Sequence, residues 1–124
     1  MPAVSRAKVR IATGFEGAHV ERGMAKVAIK AGDPVNIAAD EVSTLYDFAV
    51  DKVSGAATYC DGIALHDAQP NRKVEILRRG EVEGYAGMTP GTSLSIANGD
   101  IDSTAPAGMP FLRVSTPSRI TKLF

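Results

Sequence analysis

The sequence has no tryptophan and only one cysteine, and these absences narrow the classes of protein it can belong to. A single cysteine, Cys60, cannot form a disulfide within the chain or supply the several thiolates of a structural zinc site. No apolar run approaches the roughly 20 residues that a membrane-spanning helix needs. The first residues also lack the apolar segment of a secretory signal. We therefore expect a soluble chain without a membrane partner.

The composition favours one domain made of short strands. A chain of 124 residues is long enough to bury one core and too short for two ordinary domains. It has 12 glycines and 7 prolines, so it makes many turns, and its apolar residues are mostly alanine, valine and isoleucine. Turn residues and β-branched side chains together are typical of strands rather than of long helices.

The net charge is zero, but the charges are unevenly distributed. Residues 1–30 carry six basic and two acidic residues, residues 31–71 carry one and seven, and residues 72–124 carry seven and five. A neutral chain has no general attraction to nucleic acid, so we expect no nucleic-acid partner. The segregation of charge can instead affect how copies of the protein meet one another.

The N-terminal segment alternates strictly between basic and apolar or small residues from Ser5 to Ile11. This period is that of a half-buried strand or an extended arm. Two alternatives remain open: the first strand of the chain's own sheet, or an arm that adds to the sheet of a neighbouring molecule. Under the second, the residues that contact the neighbouring molecule are Val4, Arg6, Lys8, Val9, Arg10 and Ile11.

Glycines at positions 14, 17 and 23 mark a loop after this segment. We therefore divide the chain into an arm and Gly-rich loop, 1–23, and a single β-rich domain, 24–124. Residues 24–30 alternate again and predict a strand. Turns at Gly32, Gly91 and Gly108 should each precede a further strand, because glycine tolerates a positive φ angle.

A hairpin is predicted from 59 to 85, with strands at Tyr59–Leu65 and Lys73–Arg79 and a bulge or bend at Gly80. The stretch 40–53 is ambiguous, and we expect a strand over Val42–Tyr46 and a looser excursion over 47–57, for which a helix is one option. The C-terminal tail should join the sheet. The predicted fold is all-β: a small barrel or sandwich of roughly eight to ten short strands, with an extended N-terminal arm and at most one short helix.

No catalytic motif accompanies this pattern. The sequence contains no Gly-x-Ser-x-Gly elbow, no His-Glu-x-x-His and no Walker loop. His66 and Asp67 are adjacent, but neighbours on a strand point to opposite faces and do not form an acid–base pair. Cys60 is interpreted as a small core residue. We expect no enzyme activity, no catalytic residues, no cofactor and no metal.

Four segments, in this order, resemble the decoration (cement) proteins of tailed-phage heads: KAGDPVNI, CDGIALHDAQPNRKVEILRRGEVEG, MTPGTSLSIANGDI and PAGMPFLRV. The resemblance spans roughly residues 24–124. It implies a compact β-rich subunit that assembles as a trimer on the outside of a capsid, at local threefold positions, and stabilises the head without catalysis. The stretch 47–58 is longer and more acidic than that family's pattern.

The resulting functional prediction is a structural virion protein. Its partners would be the major capsid protein and further copies of itself in a homotrimer. It would be made in the host cytoplasm and located on the outer capsid surface. The alternative is a head-fibre or tail-associated β-domain that binds a host glycan or another virion protein.

Overall fold

The computed structural model of the chain describes residues 5–11, 18–38, 48–53, 60–97, 99–102 and 112–122. Within those ranges the chain forms ten strands and no helix, so the all-β prediction is confirmed. The strands are β1 (Ser5–Ile11), β2 (His19–Ala25), β3 (Pro34–Ala38), β4 (Ala49–Lys52), β5 (Gly62–Ala64), β6 (Lys73–Ala86), β7 (Ser93–Ala97), β8 (Asp100–Asp102), β9 (Leu112–Thr116) and β10 (Arg119–Lys122).

Strand β6 organises the fold, because it is 14 residues long and pairs with four other strands. Its first half pairs antiparallel with β2 and β5, and Met24 lies opposite Lys73. Its second half pairs antiparallel with β1 and β10, and Ile11 lies opposite Val82. Two groups of strands therefore share this one strand.

The first half of β6 closes a ring of five strands in the order β2, β4, β3, β5, β6 and back to β2. The contact between β2 and β4 is parallel and short, with Met24 opposite Ala49 and Ala25 opposite Val50. Every strand of the ring contributes to one hydrophobic cluster, which therefore fills the ring. Its buried members are Ala25, Ile29, Val35, Val50, Ala64, Ala68, Val74 and Ile76.

The second half of β6 belongs to a sheet in the order β1, β6, β10, β9, β7, β8. This sheet has its own hydrophobic cluster, which also includes Ile63 and Leu77 from the wall of the ring. The sheet therefore packs against the outside of the ring. The other members of the cluster are Val9, Val53, Cys60, Val82, Tyr85, Met88, Leu94, Ile96, Ile101, Leu112, Val114 and Ile120.

The side chains of β6 change clusters along the strand. Val74 and Ile76 belong to the ring cluster, whereas Val82 and Tyr85 belong to the second cluster. Between them Gly80 has a φ of 137°, and the register with β2 shifts by a residue nearby. The predicted bend at Gly80 is confirmed, since it allows one strand to serve two cores.

Several turn and strand predictions are confirmed. Gly32 and Gly91 have φ angles of 89° and 86°, and Pro34 begins β3 where a missing N–H is tolerated. The C-terminal tail forms β10 between β6 and β9. The predicted strand at Tyr59–Leu65 is shorter than expected, since β5 spans Gly62–Ala64. Gly108 lies outside the described residues.

The helical option for 47–57 is wrong where the structure describes that stretch. Ala49–Lys52 is strand β4, which pairs with β3 and with β2. Pairing on two sides satisfies the backbone groups that a helix would otherwise satisfy internally, so tertiary context overrides the local helical pattern. The predicted strand over Val42–Tyr46 lies outside the described residues.

The strand predicted over 24–30 is also wrong, because β2 spans His19–Ala25 and the chain then bends. Gly23, expected in a loop, is a buried residue of β2. A Cβ atom at Gly23 would lie 2.6 Å from the Phe48 ring, so the glycine makes room for that side chain. Its role is close packing between β2 and the start of β4.

The N-terminal segment is a strand of the chain's own sheet in this structure. β1 pairs antiparallel with β6, with Arg6 opposite Tyr85 and a register shift between Arg6 and Arg10. This is the pairing expected if the segment is the first strand of the chain's own sheet. The division of the chain after residue 23 into arm and domain stays a prediction.

Candidate functional site beside the first strand

An open groove of about 470 Å³ lies where β1 meets two turns of the ring. It includes the only two predicted contact residues whose side chains the structure describes, Arg6 and Val9. Its lining consists of Arg6, Val9, Lys30, Ala31, Leu65, His66 and Asp67. The groove is the candidate site because it joins these residues to the neighbouring His66–Asp67 pair.

The floor of this region is the turn at 30–33. The N–H of Asp33 donates to the Lys30 carbonyl at 3.0 Å, and the N–H of Gly32 donates to the Ala64 carbonyl at 2.7 Å. A Cβ atom at Gly32 would lie 2.8 Å from Val9 Cγ2. Glycine is therefore required here both for the positive φ angle and for the close approach of β1.

Arg6 connects β1 to two other parts of the fold. Its Nη1 donates to the Ala31 carbonyl at 3.1 Å and to Asp33 Oδ1 at 2.9 Å, and its Nη2 donates to Asp100 on β8. Burial acts to lower the pKa of Arg6, but the hydrogen bonds to Asp33 and Asp100 outweigh it and raise that pKa above its ordinary value. The guanidinium is held as a charged group inside its own chain.

Asp33 is the most buried member of this ion-pair cluster, with 7% of its side chain exposed. Besides Arg6, its carboxylate accepts the N–H of Lys30 at 2.9 Å and lies 3.7 Å from Lys52 Nζ. Tyr85 contacts the same turn, because its hydroxyl donates to the Gly32 carbonyl at 3.3 Å. Burial raises the pKa of Tyr85, so the phenol stays protonated.

The geometry of His66 and Asp67 agrees with the interpretation that they are not an acid–base pair. His66 Nε2 accepts the N–H of Glu75 at 3.1 Å, which leaves the proton on Nδ1, 2.9 Å from the Asp67 carbonyl oxygen. The Asp67 carboxylate instead accepts the N–H of Ala31 at 2.9 Å. Both nitrogens of the His66 ring and one carboxylate oxygen of Asp67 therefore hydrogen-bond backbone groups.

Cys60 is a core residue, as the sequence indicated. It is fully buried within the second hydrophobic cluster. Burial raises the pKa of its thiol to about 12, chiefly by desolvating the thiolate. The nucleophilic form is therefore almost absent at neutral pH.

Native Cys60 should not react with Ellman's reagent at pH 8, and it should react fully in denaturant. The thiol of the unfolded chain ionises near pH 8.5, so the free energy of unfolding should fall as the pH rises from there toward 12. Urea unfolding between pH 7 and 10 measures the effect, and Cys60→Ala should reduce the slope. Rapid stoichiometric labelling of the native protein would contradict this burial.

The structure places the predicted contact residues in different situations. Arg6 belongs to the ion-pair cluster, and Val9 is 5% exposed in the hydrophobic core. Lys8, Arg10 and Ile11 lie on β1 without described side chains, and Val4 is outside the described residues. Their contact with a capsid or neighbour stays a prediction.

Sequence reasoning missed the acidic partners of Arg6. Asp33 lies in the Gly-Asp-Pro turn, a signal that could have indicated a structural carboxylate. Asp100 had no such signal, because it is 94 residues from Arg6 and only the fold brings them together.

Among the described residues, no group of three or more histidine, cysteine, aspartate or glutamate side chains is arranged to hold a metal ion. That part of the chain also has no helix long and apolar enough to span a membrane. In comparisons with known proteins, no family model matches the chain, and no curated protein matches it either.

Proposed function

We propose that this chain is a structural virion protein that decorates the outer surface of a tailed-phage head as a trimer at local threefold positions. The proposal rests on the resemblance of residues 24–124 to the decoration proteins. It concerns adhesion rather than chemistry, and the side chains of Arg6, His66 and Asp67 beside β1 hydrogen-bond within the chain.

The observation that carries the proposal is that the segments resembling the decoration proteins form strands of both the ring and the second sheet. Segment 30–37 forms the Gly32 turn and β3, and segment 60–84 contains β5 and most of β6. Segment 88–101 contains β7 and the first two residues of β8, and β9 begins within segment 106–114. The resembling segments therefore lie on the ring, on β6 and on the second sheet. This placement is consistent with an architecture common to this chain and the decoration proteins.

A subunit with two joined hydrophobic cores suits mechanical reinforcement. The ring and the second sheet have separate cores joined through β6, and Arg6 links β1, the ring and β8. Adhesion spread over polar and apolar contacts needs no pocket or cofactor, and cyclic symmetry repeats each contact.

The purified chain should co-sediment with cognate heads assembled without it, and loaded heads should survive heating to a higher temperature than bare heads. Sucrose gradients measure the co-sedimentation. The temperature at which heads release their DNA or their capsids come apart measures the resistance to heating. An unrelated soluble β-protein of similar mass is the control. A chain that stays at the top of the gradient, or that sediments with tails alone, would contradict the proposal.

A further inference from the structure

The side chain of His66 takes the place of a backbone carbonyl where the pairing of β5 with β6 ends. The two strands pair as far as Ala64, which lies opposite Ile76. One residue further, the Leu65 N–H donates to the Glu75 carbonyl at 3.0 Å, whereas the Glu75 N–H donates to His66 Nε2 at 3.1 Å. In a complete antiparallel pair both N–H groups would donate to carbonyl oxygens. The imidazole therefore supplies the acceptor that the strand itself does not.

Only the neutral ring of His66 can make this contact. Nε2 accepts the Glu75 N–H with its lone pair, and Nδ1 lies 2.9 Å from the Asp67 carbonyl oxygen, to which it donates. A protonated imidazole carries a hydrogen on both nitrogens and accepts none. Protonation would place two N–H groups against each other, so the hydrogen bond from the Glu75 N–H to the ring would be lost.

The carboxylate of Glu75 offers the protonated ring a second partner. Its Oε1 lies 3.7 Å from His66 Nε2. Charge-assisted N–H···O bonds span about 2.7–2.9 Å, so the carboxylate lies beyond hydrogen-bond distance of the neutral ring and has about 1 Å to travel to the charged one. The side chains of His66 and Glu75 are 38% and 40% exposed, so water reaches both groups without unfolding.

Charged groups of both signs face the ring. Glu75 faces it from β6, Asp67 follows it in its own turn, and Arg22 lies opposite Glu75 on β2. Lys30, from the turn before β3, and Arg6, from β1, line the same groove as the ring. Among these five groups, the Glu75 carboxylate is the one in ion-pair range of the ring. It is therefore the partner that the protonated ring would take.

We propose that His66 is a proton-operated switch at the end of the β5–β6 pairing. The neutral ring accepts the Glu75 N–H, and the protonated ring releases that N–H and binds the Glu75 carboxylate instead. Histidine ordinarily changes its charge between about pH 5 and 8, so the switch operates in mildly acidic solution. In the acid form the groove beside β1 gains one positive charge near Lys30. The switch belongs to the free chain and does not depend on the proposed function.

Nuclear magnetic resonance of the ¹⁵N-labelled full chain between about pH 8 and 5 follows the switch. At the upper pH the ring should carry a proton on Nδ1 alone, and at the lower pH on both nitrogens. The hydrogen-exchange protection factor of the Glu75 amide should fall by about tenfold over this range, because a hydrogen bond is lost. The Leu65 amide, which donates to the Glu75 carbonyl, is the internal control and should keep its protection factor.

Substitutions of the two histidines separate this switch from general effects of acid. His66→Gln keeps an acceptor oxygen at the end of the side chain but has no group that titrates in this range, so the Glu75 amide should stay protected throughout. His19→Gln is the matched control, because His19 is exposed and its Nε2 lies 3.6 Å from the Glu21 carboxylate. It should leave the response of the Glu75 amide unchanged. Circular dichroism at both ends of the pH range confirms that the variants are folded.

A Glu75 amide that keeps its protection factor while both ring nitrogens carry protons would overturn the proposal. A ring that stays neutral at the acid end of the range would also overturn it, as would a loss of protection at Glu75 that persists in His66→Gln. An equal loss at Leu65 would mean that the end of the strand opens as a whole, which contradicts an exchange of partners at His66.

Discussion

Replacing Arg6 with alanine should lower the free energy of unfolding by about 3 kcal/mol. The guanidinium joins β1 to the Ala31 carbonyl, to Asp33 and to Asp100. Removing it leaves the Asp33 carboxylate, 7% exposed, with the Lys30 N–H and a 3.7 Å contact to Lys52 Nζ. Removing one partner of a buried ion pair costs roughly 3–5 kcal/mol, and the lower end applies because Arg6 and Asp100 are partly exposed.

Urea unfolding followed by fluorescence or circular dichroism measures this effect. Arg79→Ala, at an exposed position of β6, is the control and should change stability by less than about 0.5 kcal/mol. A double-mutant cycle with Asp33→Asn isolates the Arg6–Asp33 interaction, and we expect a coupling energy above about 1 kcal/mol. A negligible coupling energy would mean that the cluster does not fasten β1.

Gly32→Ala should be comparably destabilising, by about 3 kcal/mol. Its φ of 89° costs an L-residue roughly 1–2 kcal/mol, whatever surrounds it. In addition, the new Cβ would lie 2.8 Å from Val9 Cγ2 and 3.0 Å from Arg6 Cδ. Displacing packed side chains adds roughly 1–3 kcal/mol.

Gly91→Ala is the matched control for the second part of this cost. Gly91 has nearly the same φ, 86°, but its Cβ would meet nothing within 4 Å. It should therefore lose only about 1–2 kcal/mol. Equal losses at the two glycines would show that β1 does not press on the Gly32 turn, and a larger loss at Gly91 would contradict the packing altogether.

Local patterns predicted the strands whose neighbours are close in sequence. Val74, Ile76 and Leu77 lie in a β-branched and apolar run, and the hairpin with β5 follows directly from it. The Gly32 and Gly91 turns were predictable because each needs a positive φ angle that glycine supplies. These features depend on a few adjacent residues and are therefore visible in the sequence.

Long-range features were not predictable in the same way. The antiparallel pairing with β3 and the short parallel contact with β2 make 49–52 a strand, although its sequence also fits a helix. The division of β6 between two cores depends on strands from both ends of the chain. Pattern reasoning along one strand cannot identify such partners.

The ion-pair cluster around Arg6 and the burial of Lys122 were not predictable from local patterns either. Arg6 and Asp33 are 27 residues apart, and nothing in either segment specifies the other. Lys122 is 1% exposed, and its Nζ donates to the Arg78 carbonyl at 3.0 Å. Burial lowers the pKa of this lysine. A lysine is ordinarily expected in solvent, so only the fold explains its position.

Cryo-electron microscopy of heads assembled with and without this chain measures decoration most directly. The proposed function predicts additional density only in the first sample, in threefold clusters on the outer surface at local threefold positions, into which the ring and second sheet fit. The density should disappear when the chain is omitted and return when purified chain is added to bare heads. Identical maps, or density confined to the tail or portal vertex, would contradict the proposed decoration of the head.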